Sequence, residues 1–349
     1  MARARLPVHD EAMADTLMQA VVCEGLAQDF SRVSLRQLPI PEPGPGEVRV
    51  KVEAASLNFP DLLMLKGEYQ FKPDPPFTVG MDLAGIVDSA GHGVKLARGA
   101  RVAGGAKTGA FATYAICPET SLHLVLDNLP APLAAAYPAA YTTAHVSLIA
   151  RGRLQKGETL LVHGASGGVG MAAMDVGRLL GTRVIATTAS PEKRDALSRA
   201  GADEVIVLGP KPGDAFREQV KALTGGRGAD VIFDPVGGDV FDESTRCIAF
   251  DGRLLVVGFA GGRIASVSTN MPLIKGFSVV GVRAGEYGRQ FPERGRAIRD
   301  EIWRWAAEGL TRPTVFAELP LDRWREAFEL MRDRRLVGKV VLRPGGEAG

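Results

Sequence analysis

Residues 159–170 join a short apolar run to a glycine-rich turn, Thr159-Leu-Leu-Val-His-Gly-Ala-Ser-Gly-Gly-Val-Gly170. The pattern predicts a buried strand that leads through a tight turn into a helix, which is where the phosphates of a dinucleotide bind. Gly167 would let the main chain approach a pyrophosphate, and Gly170 would let the helix pack close to the strand. The amides of the first helical turn then face the anion. The predicted phosphate-binding residues are Ser166, Gly167, Gly168 and Val169.

The segments after this turn alternate between β-rich and helix-favouring stretches. The same glycines would also suit a tight turn that binds no ligand. The segments that follow the turn decide between a phosphate-binding turn and a turn without a ligand. Alternation of this kind predicts βαβ crossovers and a parallel sheet covered on both faces. We therefore expect an α/β fold with a six-stranded, doubly wound Rossmann domain over residues 142–282. The predicted strands are 159–162, 183–188, 204–208, 231–236, 253–259 and 277–283, and helices are expected over 214–223 and 239–249.

The end of the second predicted strand indicates which nicotinamide cofactor is bound. An NAD site places Asp or Glu about 20 residues after the glycines, where it binds a ribose hydroxyl. This chain has no carboxylate over 187–190, and Lys193 and Arg194 follow one turn into the next helix. Hydroxyls and cations suit a 2′-phosphate, so NADPH is favoured over NADH. The alternative is a solvated helix face that includes Glu192. The predicted 2′-phosphate residues are Thr187, Ser190, Lys193 and Arg194.

Length and composition limit the remaining classes. The chain has 349 residues, of which 46% are hydrophobic, and its net charge is +2. This is enough for two domains, and the charge argues against a dedicated nucleic-acid or membrane surface. No 18-residue apolar span occurs, and residues 1–17 are interpreted as an N-terminal extension. Three isolated cysteines predict reduced thiols in a cytoplasmic protein, namely Cys23, Cys117 and Cys247.

The segment before the glycine turn has a different pattern. Short β-like runs at 47–57, 78–89, 101–104 and 111–117 are separated by connections rich in Pro and Gly. This is typical of a small irregular β-barrel, which we place over residues 18–141. Residues 283–349 offer helices near 293–308 and 321–332 and a closing strand at 339–342. A lone terminal strand most economically rejoins the first domain, so residues 283–349 are expected to return to it.

Seven motifs carry a family resemblance over residues 18–344. They are Met18-Gln-Ala-Val-Val22, Pro41-Glu-Pro-Gly-Pro-Gly-Glu-Val48, Asn58-Phe-Pro-Asp61, Gly80-Met-Asp-Leu-Ala-Gly85, His163-Gly-Ala-Ser-Gly-Gly-Val-Gly170, Asp234-Pro-Val-Gly-Gly238 and Gly338-Lys-Val-Val-Leu342. Together they resemble the zinc-independent quinone oxidoreductases of the medium-chain dehydrogenase/reductase superfamily. The resemblance implies a GroES-like β-barrel substrate domain, NADPH, and hydride transfer in the cleft between the domains. It also implies a homodimer, because that family usually pairs through its nucleotide domains.

Zinc binding is not expected. The zinc-dependent relatives place a Cys near the start of the catalytic helix and a His-Glu pair in the next glycine segment. This chain has Asn58 and the pair Met81-Asp82 at those places. A catalytic zinc needs about three converging ligands, and Asp82 alone cannot supply them. The chain also has no Cys-x-x-Cys spacing, so we predict activity without a metal.

The resemblance also assigns candidate site residues. Asn58 would donate a hydrogen bond to a substrate carbonyl, or else serve only as a helix N-cap. Tyr69 would stabilise a developing enolate or quinol oxygen, or else pack beside Phe71. The remaining candidates for cofactor binding are Thr142, Gly258, Phe259 and Lys339. Their alternatives are a helix cap for Thr142 and an exposed side chain for Lys339.

Three functions remain open. The first is NADPH-dependent reduction of quinones or related conjugated carbonyl compounds, with no nucleic-acid or membrane partner. The second is reduction of an enoyl or acryloyl thioester of coenzyme A, whose phosphates would bind an arginine-rich stretch after the nucleotide domain. The alternative for that stretch is a salt-bridged surface. The third is a non-catalytic, NADPH-bound structural or RNA-associated protein. The arginines in question are Arg283, Arg289, Arg294 and Arg296.

Overall fold

The computed structural model describes residues 16–209 and 216–345. Its helices and strands, in chain order, are β1 (Leu17–Cys23), β2 (Val33–Pro39), β3 (Glu47–Ser56), α1 (Phe59–Lys66), β4 (Phe77–Thr78), β5 (Asp82–Ala90), β6 (Arg101–Gly105), β7 (Tyr114–Pro118), β8 (His123–Leu124), α2 (Ala131–Ala136), α3 (Pro138–His145), β9 (Thr159–Val162), α4 (Gly168–Leu179), β10 (Arg183–Thr188), α5 (Arg194–Arg199), β11 (Glu204–Val207), α6 (Phe216–Leu223), β12 (Ala229–Asp234), α7 (Gly238–Cys247), β13 (Ile248–Val256), α8 (Asn270–Lys275), β14 (Ser278–Gly281), α9 (Ala284–Gln290), α10 (Pro292–Ala307), β15 (Val315–Pro320), α11 (Trp324–Arg332) and β16 (Lys339–Arg343). A π-helix at Val146–Arg151 follows α3.

The chain forms two compact units. The first unit contains the described residues up to 135, together with 317–335 and 340–345. The second unit contains the described residues from 136 to 316 and the short segment 336–339. Most of the predicted N-terminal extension, residues 1–15, lies outside the described residues. The structure begins at Thr16, and β1 starts one residue later.

The first unit consists of antiparallel sheets, as its short β-like runs predict. One sheet has the order β2-β1-β4, and a larger one has the order β15-β16-β3-β5-β6-β8, with β7 also paired to β3. The closing strand β16 does return to this unit, where Val341 pairs with Ser56 and Leu342 with Ala55. Strands β2, β8 and β15 were not predicted, because they carry too little apolar alternation to be recognised.

Helix α1 of the first unit begins and ends at residues that the structure explains locally. Asn58 has extended main-chain angles and precedes the first helical residue, and Pro60 lies in the first turn. The helix ends at Gly67, whose φ of 71° is the left-handed conformation that glycine adopts without strain. The main-chain amide of Asn58 donates to the Asp61 carboxylate at 2.8 Å. The Asp61 amide in turn donates to the Asn58 carbonyl at 3.0 Å, so Asn58 and Asp61 together fix the entry to the helix.

The second unit contains the predicted doubly wound sheet. Its six parallel strands have the order β11-β10-β9-β12-β13-β14, and helices connect them in the crossovers. The strand order reverses between β9 and β12, the point at which open α/β sheets bind ligands. Leu161, Ile185 and Ile232 on the central strands are fully buried, which is why these strands read as continuous apolar runs.

The predicted return to the first unit at residue 283 is wrong. Residues 283–316 belong to the second unit, since α10 buries its apolar face there. The phenol of Tyr137 donates to the Thr311 carbonyl, and Trp303 packs against the Tyr137 ring with 5.4 Å between centroids. His145 Nε2 lies 2.7 Å from Glu301 Oε2. These contacts join residues far apart in the sequence, so local pattern could not reveal them.

Candidate functional site in the second unit

The glycine-rich turn lies between β9 and α4. Gly167 is the N-cap of α4, and its amide donates to the Gly164 carbonyl at 3.0 Å. The Ala165 amide donates to the Thr187 carbonyl at 3.2 Å, which ties the turn to the end of β10. The first-turn amides of a helix have no acceptor within the helix, so those of Gly168 and Val169 are suited to bind an anion.

Glycine is present at positions 167 and 170 of this turn for two different physical reasons. A Cβ added at Gly170 would lie 2.7 Å from Ala165 Cα and closer still to the Gly164 carbonyl oxygen, so no larger residue fits between strand and helix. A Cβ at Gly167 would meet nothing nearer than 3.4 Å. The protein itself therefore does not require glycine at 167, whereas a phosphate that contacts the main chain does. These are the two roles that the sequence predicts for Gly170 and Gly167.

The chain segment 336–339 completes the turn from a distant part of the sequence. The Gly338 amide donates to the Ser166 carbonyl at 2.8 Å, and the Lys339 amide donates to the Thr314 carbonyl at 2.9 Å. Gly338 has φ of +90°, and an added Cβ would lie 2.9 Å from Thr314 Cβ. Residue 338 must be glycine for both reasons, a requirement that the sequence alone did not reveal.

Lys339 lies beside the start of α4. A Cβ at Gly168 would stand 3.1 Å from Lys339 Cγ and closer still to its Cδ, so Gly168 makes room for the stem of this lysine. Lys339 is only 5% exposed, which excludes the alternative of an exposed lysine. A buried cation beside a helix N-terminus favours a bound anion. The residues present therefore fit the diphosphate of a dinucleotide.

Thr187 does not have the position that the sequence predicts for it. Its side chain is completely buried, and its hydroxyl lies 2.9 Å from His163 Nδ1. The Ser244 hydroxyl donates to the Val240 carbonyl, so it accepts from His163 Nε2 at 2.8 Å. His163 therefore carries its proton on Nε2, and Thr187 donates to Nδ1. The predicted contact of the Thr187 hydroxyl with a 2′-phosphate is corrected to a hydrogen bond inside the unit.

Burial keeps His163 neutral. The ring is fully buried, and desolvation lowers its pKa from 6.5 to about 3. Both ring nitrogens have hydroxyl partners, so the histidine connects the end of β9 to β10 and to α7. The sequence singled out this residue only as part of a motif, and no local signal indicated its partners.

The loop after β10 keeps the predicted polar character. The Ser190 amide donates to Thr188 Oγ1 at 3.2 Å, and a short 3₁₀ turn at Pro191–Lys193 leads into α5. Lys193 is 6% exposed, whereas Arg194 is exposed, so the two adjacent cations are not equivalent. Residues 187–190 present no carboxylate that would repel a 2′-phosphate.

A second group of loops lies at the carboxyl ends of β12 and β13. Gly258 packs so closely that an added Cβ would lie 3.2 Å from the Pro235 carbonyl oxygen. The Ala260 amide donates to that same oxygen at 3.0 Å. Phe259 is 40% exposed. Thr142 is half-buried on α3, within the helix rather than at its cap. The binding roles of Gly258, Phe259 and Thr142 stay predictions.

The candidate catalytic residues belong to the first unit. The Asn58 side chain is buried, and its amide nitrogen donates to Asp82 Oδ2 at 3.0 Å and to the Ser56 carbonyl at 3.3 Å. Both amide hydrogens are therefore directed to the protein, and a substrate carbonyl would have to replace one acceptor. Tyr69 is half-buried after α1. Phe71 follows two residues later, and the Lys107 ammonium lies 4.7 Å from the centre of its ring.

Three further findings concern metal sites, the arginine-rich stretch and membrane spans. Within residues 16–209 and 216–345, no three His, Cys, Asp or Glu side chains are grouped so that they could hold a metal ion. Arg283 and Arg289 are both paired with Glu286, at 3.9 and 2.9 Å. These arginines thus form the salt-bridged surface rather than an open phosphate site. In the described part of the chain no helix is long and apolar enough to cross a membrane.

A doubly wound sheet whose glycine turn leads into a helix beside a buried lysine is typical of a dinucleotide-binding protein, and comparison with known proteins gives the class as an oxidoreductase. Residues 44–127 match the alcohol dehydrogenase GroES-like domain, and residues 168–299 match the zinc-binding dehydrogenase family. The chain is 36% identical over 327 residues to quinone oxidoreductase-like protein 2 of Rattus norvegicus, covering 93% of this chain and 91% of the relative.

Solved structures give the same result. A mycobacterial protein in complex with NADPH has a TM-score of 0.87 and 29% identity, covering 94% of this chain and 100% of that one. The quinone oxidoreductase of Thermus thermophilus, also solved with NADPH, has a TM-score of 0.79 and 30% identity, covering 93% and 99%. The chain belongs to the quinone oxidoreductase family of the medium-chain dehydrogenase/reductase superfamily. The predicted fold, with a GroES-like domain and a Rossmann domain, and the predicted oxidoreductase class are confirmed.

Proposed function

We propose that the protein binds NADPH and reduces quinones or related conjugated carbonyl compounds by direct hydride transfer, without zinc. The observation that carries this proposal is the anion site at the start of α4. There the amides of Gly168 and Val169 stand beside the buried Lys339, and Gly167 leaves the main chain open. Such a site binds the diphosphate of a dinucleotide. The quinone oxidoreductase relatives support the substrate class.

NADPH supplies the hydride when it is bound, and the chain supplies binding and orientation. The anion site holds the diphosphate. We assign recognition of the 2′-phosphate to the cationic Lys193, in the 3₁₀ turn that follows β10. The loops of Gly258 and Phe259 lie at the carboxyl ends of the strands, where a nicotinamide would bind. The helix dipole of α4 and the nearby cations stabilise the negative charge of the phosphates.

Hydrogen bonding to the substrate oxygen is assigned to Asn58 and Tyr69. Hydride addition to a conjugated carbonyl leaves negative charge on its oxygen, and a positioned donor stabilises that charge. Asn58 has a buried amide held by Asp82. Replacing that acceptor with a substrate carbonyl would use a group already oriented by the protein. Tyr69 carries a phenol that can donate a proton or a hydrogen bond.

The absence of a suitable ligand set supports a reaction that does not use zinc. The zinc-dependent relatives place metal ligands at the positions of residues 58 and 81–82, but Asn58 is not a zinc ligand of the usual kinds and Asp82 accepts its amide hydrogen. The described residues near Asp82 therefore do not fit a zinc ion. Polarisation of the substrate is assigned instead to hydrogen bonds.

Parallel assays of NADPH oxidation test the proposal. We expect turnover with a quinone and with an enone, retained after exhaustive chelation, and well under one zinc per chain by elemental analysis. If turnover is faster with an acryloyl thioester than with a quinone, the substrate class is the thioester and not the quinone. Activity that is lost on chelation and restored by zinc would contradict the metal-free mechanism. NADPH binding without any turnover would indicate a non-catalytic protein.

Two variants test the donors. We expect Asn58→Ala and Tyr69→Phe to lower kcat roughly tenfold or more with an enone and less with a quinone, which is already a good acceptor. NADPH affinity should stay unchanged, as measured by calorimetry. If both variants keep wild-type turnover with both acceptors, neither side chain donates to the substrate. Asn58 would then have only a structural role, and Tyr69 would only pack against its neighbours.

We further propose that the protein is a homodimer, paired through β14. This strand is at one edge of the six-stranded sheet, and Val279 on it is 37% exposed. Phe250, Leu273 and Ile274 are also apolar and are 82%, 82% and 74% exposed. An open edge with apolar neighbours is a template for pairing with a second copy about a two-fold axis. Sedimentation should give a dimer for the wild type, and Ile274→Glu should weaken it.

A further inference from the structure

Asp234 is a buried carboxylate at the carboxyl end of β12. The residue is 1% exposed, and no charged side chain of the described residues contributes to its pKa. Buried carboxylates are normally paired with a cation, because an ion loses its hydration on burial. Burial of the Asp234 carboxylate is therefore energetically unfavourable, and no ion pair explains why the residue is present.

Among the described residues, hydrogen bonds reach only one of the two carboxylate oxygens. Oδ1 accepts from the amides of Val236 and Gly237, both at 2.9 Å, and so shapes the turn that leads into α7. Oδ2 accepts no hydrogen bond from the described residues. The neutral carbonyl of an asparagine would serve the two amides as well as Oδ1 does, without a buried charge. The turn alone does not explain the carboxylate.

Burial has a measurable effect on this group. Desolvation raises the pKa of Asp234 from 3.8 to about 6, against the two amide hydrogen bonds, which lower it. The carboxylate is therefore ionised at neutral pH but is poorly solvated. The surroundings of Asp234 are of low polarity, which makes the carboxylate without a partner costly. The same low polarity would strengthen a hydrogen bond from a donor that reached Oδ2.

The position of Asp234 indicates which kind of donor reaches it. Its main-chain carbonyl accepts from the amides of Val257 and Gly258 at 2.9 and 3.4 Å, which joins the ends of β12 and β13. On the other side, the His163 amide donates to the Phe233 carbonyl at 3.0 Å, which joins β12 to the beginning of the glycine turn. The residue thus lies at the reversal of strand order, across which a dinucleotide extends. Its phosphates bind the glycine turn, so its nicotinamide riboside half extends toward β12 and β13.

We propose that Oδ2 of Asp234 accepts a hydrogen bond from the nicotinamide riboside half of the dinucleotide, from a sugar hydroxyl or the carboxamide. This inference rests on the proposed function, and it adds a binding residue that recognises one half of the cofactor only. The adenosine half, with its 2′-phosphate, makes no contact with Oδ2.

The test compares two ligands on matched variants by calorimetry. NADPH contains both halves of the cofactor, whereas 2′,5′-ADP contains only the adenosine half. Asp234→Asn keeps an acceptor for Val236 and Gly237 but replaces Oδ2 with an amide nitrogen, which cannot accept. Asp230→Asn is the control, because Asp230 lies at the other end of β12 and accepts from the Thr159 amide at 2.8 Å.

We expect Asp234→Asn to bind NADPH at least about tenfold more weakly, as for loss of a hydrogen bond to a charged group. Its affinity for 2′,5′-ADP should stay within about twofold of the wild type, and its urea midpoint should be no lower, because a buried charge has been removed. The control should bind both ligands as the wild type does.

Three other results would overturn the inference. Unchanged NADPH affinity of Asp234→Asn would show that Oδ2 has no partner on the cofactor. An equal loss of affinity for both ligands would mean that Asp234 only supports the whole site. A wild-type protein that binds neither ligand would overturn the proposed function together with this inference, whereas binding of both ligands with an unaffected variant overturns the inference alone.

Discussion

Alanine substitutions at Gly167 and Gly170 separate the two reasons for glycine in the turn. Alanine can adopt the φ of −78° and ψ of 164° at Gly167, and the nearest atom to its Cβ would be 3.4 Å away. At Gly170 the new Cβ would be only 2.7 Å from Ala165 Cα, and main-chain atoms cannot rotate away. One substitution therefore enters the space for a ligand, and the other forces strand and helix apart.

The expected free energies follow from these contacts. Replacing an N-cap glycine with alanine costs up to about 1 kcal/mol, and the lower entropy of the unfolded chain returns about 0.4–1 kcal/mol. Gly167→Ala should therefore change the free energy of unfolding by less than about 1 kcal/mol. Gly170→Ala introduces a methyl group where there is no room, so we expect a loss of about 1–3 kcal/mol or more.

Urea unfolding and NADPH calorimetry on both variants provide the assay. Gly167→Ala should unfold like the wild type but bind NADPH at least about tenfold more weakly, since its methyl group occupies the approach of the diphosphate. Gly170→Ala should lose stability first and affinity as a consequence. The reasoning is refuted if Gly167→Ala binds NADPH as tightly as the wild type, or if Gly170→Ala is as stable.

Three further predictions concern charge. The pKa of His163 is lowered to about 3 in the fold, so stability should be fully present above pH 6.5 and be lost as the pH falls toward 3, by up to ~1.4 kcal/mol per pH unit. Between pH 6.5 and 4, the urea midpoint of His163→Gln should depend less steeply on pH than that of the wild type. Parallel plots of midpoint against pH for the two proteins would contradict this. Lys339→Met keeps a stem of similar length beside Gly168 but removes the ammonium group, so NADPH should bind roughly tenfold more weakly at unchanged stability, and equal affinity would argue against a phosphate contact. Lys193→Glu should weaken NADPH and spare NADH in fluorescence titrations, an expectation that equal wild-type affinities for the two cofactors would exclude.

Local sequence was sufficient for most of the second unit. The central strands contain short apolar runs and are followed by a turn and a helix, so six strands in a doubly wound sheet could be predicted from alternation. The glycines of the turn indicated the phosphate site for the same reason, since Gly170 is required by contacts within a few residues of it and Gly167 leaves space beside the main chain. The N-cap of α1 at Asn58 was equally local.

Contacts between distant residues could not be predicted in this way. The boundary at residue 283 was wrong because α10 packs on α3, which lies far earlier in the chain. Thr187 was assigned to the cofactor because its hydroxyl occurs at the expected place, but a strand places alternate side chains on opposite faces and this one points to His163. Gly338 gave no signal before its partner Ser166 was seen.

The hydrogen bond between Gly338 and Ser166 also has a consequence for biosynthesis. A ribosome makes the glycine turn long before it makes residue 338, so the nascent chain holds a turn whose Ser166 carbonyl has no donor from this segment and whose Gly168 has no lysine beside it. A chain interrupted before residue 336 would carry the complete strand-turn-helix sequence and still lack a finished anion site. The segment 336–339, which is synthesised late, would thus complete the proposed anion site.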